Sequence, residues 1–110
     1  MSLAGCGLVG APPEVVPVEV VAADRADERR CALGRRSMMA GSHETFLLAE
    51  GGPAEIRILD EGGAVVFGAR VHPRSGSTNH VDFGEGSYRV VCRWPDGETR
   101  SVELTVVPPG

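Results

Sequence analysis

Apolar and polar residues alternate along two stretches of the chain, and a turn interrupts each stretch. In residues 54–71, AEIRILDEGGAVVFGARV, the alternation runs up to a glycine-containing turn at residues 61–63 and resumes after it. In residues 86–107, tyrosine, valine, cysteine and tryptophan occupy alternate positions before a Pro-Asp-Gly turn at residues 95–97. Alternation with a period of two on both sides of a short turn is typical of a β-hairpin. The sequence therefore predicts two hairpins.

The first strand is predicted to begin near Val15, because Val16, Val18 and Val20 fall on one side of an extended segment there. Pro17 has no N–H group to donate to a neighbouring strand, which favours an edge position for this segment. The charge-dense residues 24–30, DRADERR, have no apolar stripe that could be buried. We expect them to form a solvated loop.

Short strands also fit residues 45–48 and 80–83, and residues 31–39 supply another. About seven strands with closely spaced turns, and no amphipathic helix, predict an all-β fold. We expect a two-sheet antiparallel Greek-key sandwich. The sandwich is predicted to span residues 15–107, with a flexible tether over residues 1–14 and a short tail at 108–110.

Composition and charge limit the partners. A chain of 110 residues accommodates one domain, and with only 5% aromatic residues its core must consist mainly of valine. The net charge is −4, and all 11 basic residues are arginines dispersed among acidic residues. Without a basic stripe to neutralise phosphates, nucleic-acid binding is not expected.

Motifs for catalysis are absent from the sequence. It contains no G-x-S-x-G, P-loop, H-E-x-x-H or C-x-x-C spacing. Serine, threonine and histidine occur together in RSGSTNH at residues 74–80, but proximity in sequence does not make a catalytic triad. We expect a protein that is not an enzyme and holds no cofactor.

The N-terminal residues LAGC, at positions 3–6, place small residues before a cysteine. This pattern resembles the lipobox of bacterial lipoproteins, in which a peptidase cleaves before the cysteine and the cysteine is acylated. The resemblance implies that Cys6 is the site of lipid attachment, and that the protein is exported and anchored in the cell envelope. A coincidental cysteine is the alternative. We expect that the charged and apolar parts of the export signal have been removed, and that residues 7–13, GLVGAPP, belong to the tether.

The residues Gly86-Ser87-Tyr88 precede a strand that leads to Cys92. This arrangement resembles the penultimate strand of immunoglobulin-like and fibronectin-like domains, where the tyrosine hydroxyl turns back onto nearby backbone. Antibody domains place this tyrosine two residues before the cysteine, whereas Tyr88 lies four residues before Cys92. The resemblance therefore implies an immunoglobulin-like sandwich only in the wider sense.

The lipoprotein resemblance also accounts for the three cysteines. If Cys6 carries lipid, Cys31 and Cys92 remain as a pair in an exported protein, where disulfides persist. The resemblance thus implies a Cys31–Cys92 disulfide, similar to the bridge between an early and the penultimate strand of immunoglobulin-like domains. Two buried thiols are the alternative.

Cupredoxins share the run from G-x-Y along a strand to a cysteine, so the chain is also similar to a cupredoxin-like sandwich. A blue-copper site needs a histidine, and commonly a methionine, soon after the cysteine. Neither follows Cys92, and no metal ligand set is predicted. A metal-binding or redox protein that uses Cys92 with His80 or His43 is the alternative function. Otherwise we expect the histidines in turns or on solvent-facing positions.

The preferred interpretation is a non-catalytic binding or structural module of a small lipoprotein in the cell envelope. Its partners would be the membrane, through the lipid on Cys6, and a protein or polymer of the envelope. Binding residues usually lie on loops held by a rigid scaffold. The candidate binding surface consists of Arg74, Asn79, His80, Trp94 and Asp96. Trp94 either anchors the partner or packs over the disulfide.

Overall fold

The computed structural model describes residues 16–109, and within them the chain forms nine strands and no helix. The predicted tether and Cys6 lie outside these residues. The strands are β1 Val18–Arg25, β2 Glu28–Leu33, β3 Ser37–Met39, β4 Gly41–Glu50, β5 Ala54–Leu59, β6 Val65–Val71, β7 Ser77–Phe83, β8 Gly86–Arg93 and β9 Thr99–Val107.

The strands form two packed sheets, which confirms the predicted all-β sandwich. One sheet has four strands in the order β2-β1-β4-β7, and the other has five in the order β3-β9-β8-β5-β6. Both sheets are mixed rather than purely antiparallel, because β1 pairs in parallel with β4 and β3 pairs in parallel with β9. The strand count exceeds the predicted seven because the segment before β4 supplies three strands.

Both predicted hairpins are confirmed. Strands β5 and β6 pair antiparallel around the turn at residues 60–64, and β8 and β9 pair antiparallel around the turn at residues 94–98. Each turn contains a glycine in the left-handed region, Gly63 with φ 86° and Gly97 with φ 91°. A Cβ atom is strained in that conformation, so glycine permits the chain to reverse there.

The N-terminal region differs from the prediction in two respects. Strand β1 lies between β2 and β4 rather than at an edge, and Pro17 is tolerated because it precedes the first paired residue, Val18. The charged segment is not a loop, since only residues 26 and 27 form the turn of a β1–β2 hairpin. Strand β2 forms because Arg29, Cys31 and Leu33 place alternate side chains, half-buried, toward the other sheet.

The core fills the space between the sheets with small aliphatic side chains from alternate positions of the strands. Val18, Val20 and Ala22 on β1 are fully buried, as the valine alternation predicts. The aromatic residues Phe83, Tyr88 and Trp94 are also buried. The buried apolar residues form one continuous core cluster to which strands of both sheets contribute.

A disulfide between Cys31 and Cys92 crosses the core, which confirms the predicted pair. Their Cα atoms are 5.6 Å apart, within the usual range for a disulfide. Cys31 lies on β2, an edge strand of the four-stranded sheet, and Cys92 lies on β8, in the middle of the five-stranded sheet. The bond therefore attaches the peripheral β1–β2 hairpin to the opposite sheet.

The hydroxyl of Tyr88 donates a hydrogen bond to the backbone carbonyl of Gly84 at 2.7 Å, as the family resemblance implies. The ring of Phe83 contacts the Tyr88 ring edge to face, with centroids 5.3 Å apart. These contacts fix the corner where the chain passes from β7 in one sheet to β8 in the other.

Replacing both bridged cysteines, Cys31→Ala with Cys92→Ala, is expected to lower the free energy of unfolding by about 4 kcal/mol. The chain-entropy model gives this value because the bridge closes a loop of 61 residues. Urea unfolding of both proteins measures the difference. Cys6→Ser, which leaves the bridge intact, serves as the control, and an equal effect of both changes would contradict the prediction.

The variant Tyr88→Phe is expected to lower the free energy of unfolding by about 1 kcal/mol, the usual contribution of one hydrogen bond. The change removes the donor to the Gly84 carbonyl and keeps the ring that packs on Phe83. Thermal and urea unfolding measure the effect. A variant as stable as the parent would show that this bond does not stabilise the corner.

Candidate functional site

Four connections lie at one end of the sandwich, which we call the loop end. Strands β1, β4, β6 and β8 end there. Their respective antiparallel neighbours begin there, namely β2, β7, β5 and β9. The connections comprise residues 26–27, 51–53, 72–76 and 94–98. Strand β1 starts at Val18, and β9 finishes at Val107, at the opposite end.

Arg29 holds the two sheets together at the loop end. Its Nε donates to Asp24 at 3.0 Å on the neighbouring strand of its own sheet. Its Nη1 reaches Asp96 at 2.8 Å and Glu98 at 2.6 Å in the β8–β9 turn of the other sheet. Arg100 neutralises the second oxygen of Glu98 at 2.7 Å. A single half-buried guanidinium thus connects three carboxylates from both sheets.

The contacts around Arg29 shift the pKa values of the groups involved. The pKa of Arg29 lies above its ordinary value, chiefly because Asp24 and then Asp96 accept hydrogen bonds from it. The pKa of Asp96 is lowered, first by the hydrogen bond from the Glu98 backbone and then by Arg29. The pKa of Glu98 is lowered first by Arg29 and then by Arg100. All three groups are therefore held in their charged forms.

Trp94 lies in the core rather than on the surface, with 1% of its area exposed. Its position corrects its assignment to the binding surface, because Trp94 continues the inward alternation of Val90 and Cys92. The Arg29 guanidinium lies 5.2 Å from the centroid of the indole ring, a cation–π contact. The indole Nε1 has no hydrogen-bond partner among the described residues.

The other four predicted surface residues are exposed and lie on three different elements. Arg74 lies in the β6–β7 turn. Asn79 and His80 are neighbours on β7, so their side chains point to opposite faces of the four-stranded sheet. Asp96 is engaged by Arg29 at the edge of the other sheet. The predicted surface residues are thus distributed over the β6–β7 turn, both faces of β7 and the β8–β9 turn.

Two of the residues considered for a metal site are engaged in other contacts. Cys92 is in the disulfide. His43 is 3% exposed, with Nδ1 2.8 Å from the Val16 carbonyl oxygen and Nε2 2.7 Å from the Met39 carbonyl oxygen. The expectation that the histidines face solvent is thus wrong for His43, because β4 turns this side chain inward. Within residues 16–109, no three His, Cys, Asp or Glu side chains are grouped so as to hold a metal ion.

A recess of about 460 Å³ opens at the loop end on the outer side of the five-stranded sheet. Arg70 and Arg93 lie directly opposite Glu55 in the pairing of β6 and β8 with β5, so all three occupy the same face. Trp94 also lines the recess. The remaining walls come mainly from Pro53, His72 and Pro95.

Among the residues that line the recess, the sequence alone pointed to Trp94 but not to Arg70 or Arg93. Arg70 and Arg93 stand at outward positions of the two predicted hairpins, and this was the available signal. The pairing of β5 with β8 brings the hairpins side by side. The alternation within each hairpin does not specify the register between β5 and β8. It therefore could not show that the two arginines flank one recess.

Comparison with known proteins found no family model that matches the chain, and no curated protein matches it either. The described part of the chain has no helix with the length and apolar character needed to cross a membrane.

The variant Arg29→Met is expected to lower the melting temperature at neutral pH, because it removes the guanidinium and keeps an apolar side chain over Trp94. The lowered pKa values of Asp96 and Glu98 mean that their stabilising effect is complete above their ordinary values of 3.8 and 4.5. This effect is lost as the pH falls through the lowered values of the folded state.

Melting curves of parent and variant between pH 7 and pH 2 measure this dependence. The difference in melting temperature should shrink toward the acid end. Arg30→Met on the same strand is the control, because Arg30 is exposed and contacts only Glu28 among the described carboxylates. A difference that does not change with pH would refute the electrostatic explanation.

Proposed function

We propose that this protein is an exported, non-catalytic binding module, tethered to a membrane of the cell envelope by lipid on Cys6. Its loop end binds a partner in the envelope. The observation that supports the proposal is the disulfide between Cys31 and Cys92. Structural disulfides persist in oxidising compartments outside the cytosol.

The disulfide also leaves one of the three cysteines for another role. Cys31 and Cys92 are consumed by the bridge, and Cys6 is the remaining cysteine of the chain. Cys6 ends the LAGC pattern that resembles a lipobox. A lipid on Cys6 would give every cysteine a function that fits export.

The direction of the strands supports binding at the loop end. The chain enters the sandwich at Val18, at the end opposite the loop end. An anchor N-terminal to Val18 therefore attaches to the far side of the rigid body. The loop end, with its recess, would face away from the membrane and toward other components of the envelope.

Attachment of lipid to Cys6 is tested by adding a bacterial lipoprotein export signal before LAGC and expressing the chain with a labelled fatty acid. We expect the label on the protein and partition into the detergent phase of a Triton X-114 extract. Cys6→Ser should abolish both. Label that persists in Cys6→Ser would contradict lipid attachment at this residue.

A thiol count on the same chain, exported with a non-lipoprotein signal, tests the oxidised state independently. Denatured protein without reductant should contain one reactive thiol, that of Cys6, and three after reduction. Peptide mapping should identify Cys31 and Cys92 as the bridged pair. Three thiols before reduction would overturn the disulfide argument for export.

A further inference from the structure

The recess at the loop end presents positive charge within an acidic protein. Arg70 and Arg93 have no carboxylate partner within 4.0 Å among the described residues. In contrast, Arg29, Arg57 and Arg89 all contact carboxylates. Arg70 and Arg93 are thus two guanidinium groups on one rim, neither of which is neutralised by a carboxylate among the described residues.

Glu55 lies between the two arginines in the strand register, but its carboxylate bonds elsewhere. Oε2 of Glu55 accepts a hydrogen bond from Arg57 at 3.2 Å, along its own strand. The backbones of β6 and β8 are about 10 Å apart, two strand spacings, so two long arginine side chains can converge above β5. The space between them is suited to an anionic group from outside.

Trp94 adds a second observation at the same place. Its Nε1–H is the only buried side-chain polar group in residues 16–109 that has no hydrogen-bond partner. A buried donor without an acceptor costs free energy, so such groups are rare in folded proteins. Trp94 is one of the residues that line the recess, so this unpaired donor belongs to a residue of its wall.

The walls of the recess favour a compact ligand with an apolar part. Pro53 and Pro95 stand at its sides and have no N–H to donate, so they offer rigid apolar contact. The volume of about 460 Å³ lies within the range typical of small-molecule sites. The charged and polar side chains that line the recess are those of Glu55, Arg70, His72 and Arg93.

The geometry points to a binding site for an oxyanion, a carboxylate or phosphate group, with Arg70 and Arg93 as its charged donors. Guanidinium groups bind both kinds of oxyanion through paired hydrogen bonds, which are stronger than those between neutral groups. The inference deepens the proposed function and rests on it for the loop end as the binding face: the oxyanion is the group through which the partner is recognised.

Trp94 is the only tryptophan, so one indole N–H signal in a nitrogen-15 NMR spectrum reports on the recess. The oxidised chain is titrated with sodium phosphate and, separately, with sodium succinate at constant ionic strength set by sodium chloride. We expect a saturable shift of the indole signal with at least one of them. The anion that saturates identifies the oxyanion class, and sodium chloride alone should give no saturable shift.

Matched variants test the residues. Arg70→Gln and Arg93→Gln should each weaken binding by about tenfold, the loss of a charge-assisted hydrogen bond. Arg89→Gln is the control, because Arg89 lies on the same strand and outer face as Arg93 but contacts Glu103 outside the recess. The affinity of Arg89→Gln for the anion should stay within about twofold of the parent's, a much smaller change than the loss expected for the recess arginines. Glu55→Gln should tighten binding, since it removes a negative charge from the rim.

Absence of a saturable shift with both anions would overturn the oxyanion site, and so would an equal loss of affinity in Arg89→Gln. Neither result would bear on lipid attachment or on the thiol count, which test the proposed function separately.

Discussion

The Cys31–Cys92 disulfide is the constraint on which the loop end depends. It attaches an edge strand of one sheet to a central strand of the other. Arg29 lies two residues before Cys31, and Trp94 lies two residues after Cys92, each on the same side of its strand as the cysteine. The covalent bond therefore sets the spacing at which the Arg29 guanidinium meets the indole ring. Backbone pairing of β1 with β2 and β4 holds the hairpin within its own sheet, and the disulfide ties it to the other sheet.

Trp94 separates two charged regions with different characters. On one side, Arg29 forms ion pairs with carboxylates from both sheets, which neutralise its charge within the fold. Beyond the indole, Arg70 and Arg93 line the recess without such partners among the described residues. The ion pairs of Arg29 stabilise the β8–β9 turn. Trp94 and Pro95 of this turn form part of the wall of the recess. The arginine that is neutralised within the fold and the two arginines without carboxylate partners thus lie in adjacent but distinct regions of the loop end.

The sequence predicted those parts of the fold that depend on local alternation. The predictions were wrong where the structure depends on contacts between strands that are distant in the chain. The hairpins at residues 54–71 and 86–107 follow from period-two patterns and glycine turns, and the structure has both. The charged segment 24–30 shows no apolar stripe, yet it forms most of a hairpin in which Arg29 is half-buried and contacts carboxylates almost 70 residues later in the chain. Inter-strand register likewise places Arg70 and Arg93 on either side of Glu55 and brings Trp94 into the core. Alternation along one segment does not encode that register.

The parallel pairs also govern how the chain reaches this fold. Strand β3 pairs with β9 and places Met38 opposite Val106, so this contact requires almost the whole sandwich to have been synthesised. Folds dominated by such distant contacts fold on the order of milliseconds to seconds, because loop closure precedes the stabilising pairing. The hairpin of β8 and β9 closes locally and early by comparison. Until β3 arrives, the outer edge of β9 exposes unpaired N–H and C=O groups, and other chains can pair with them.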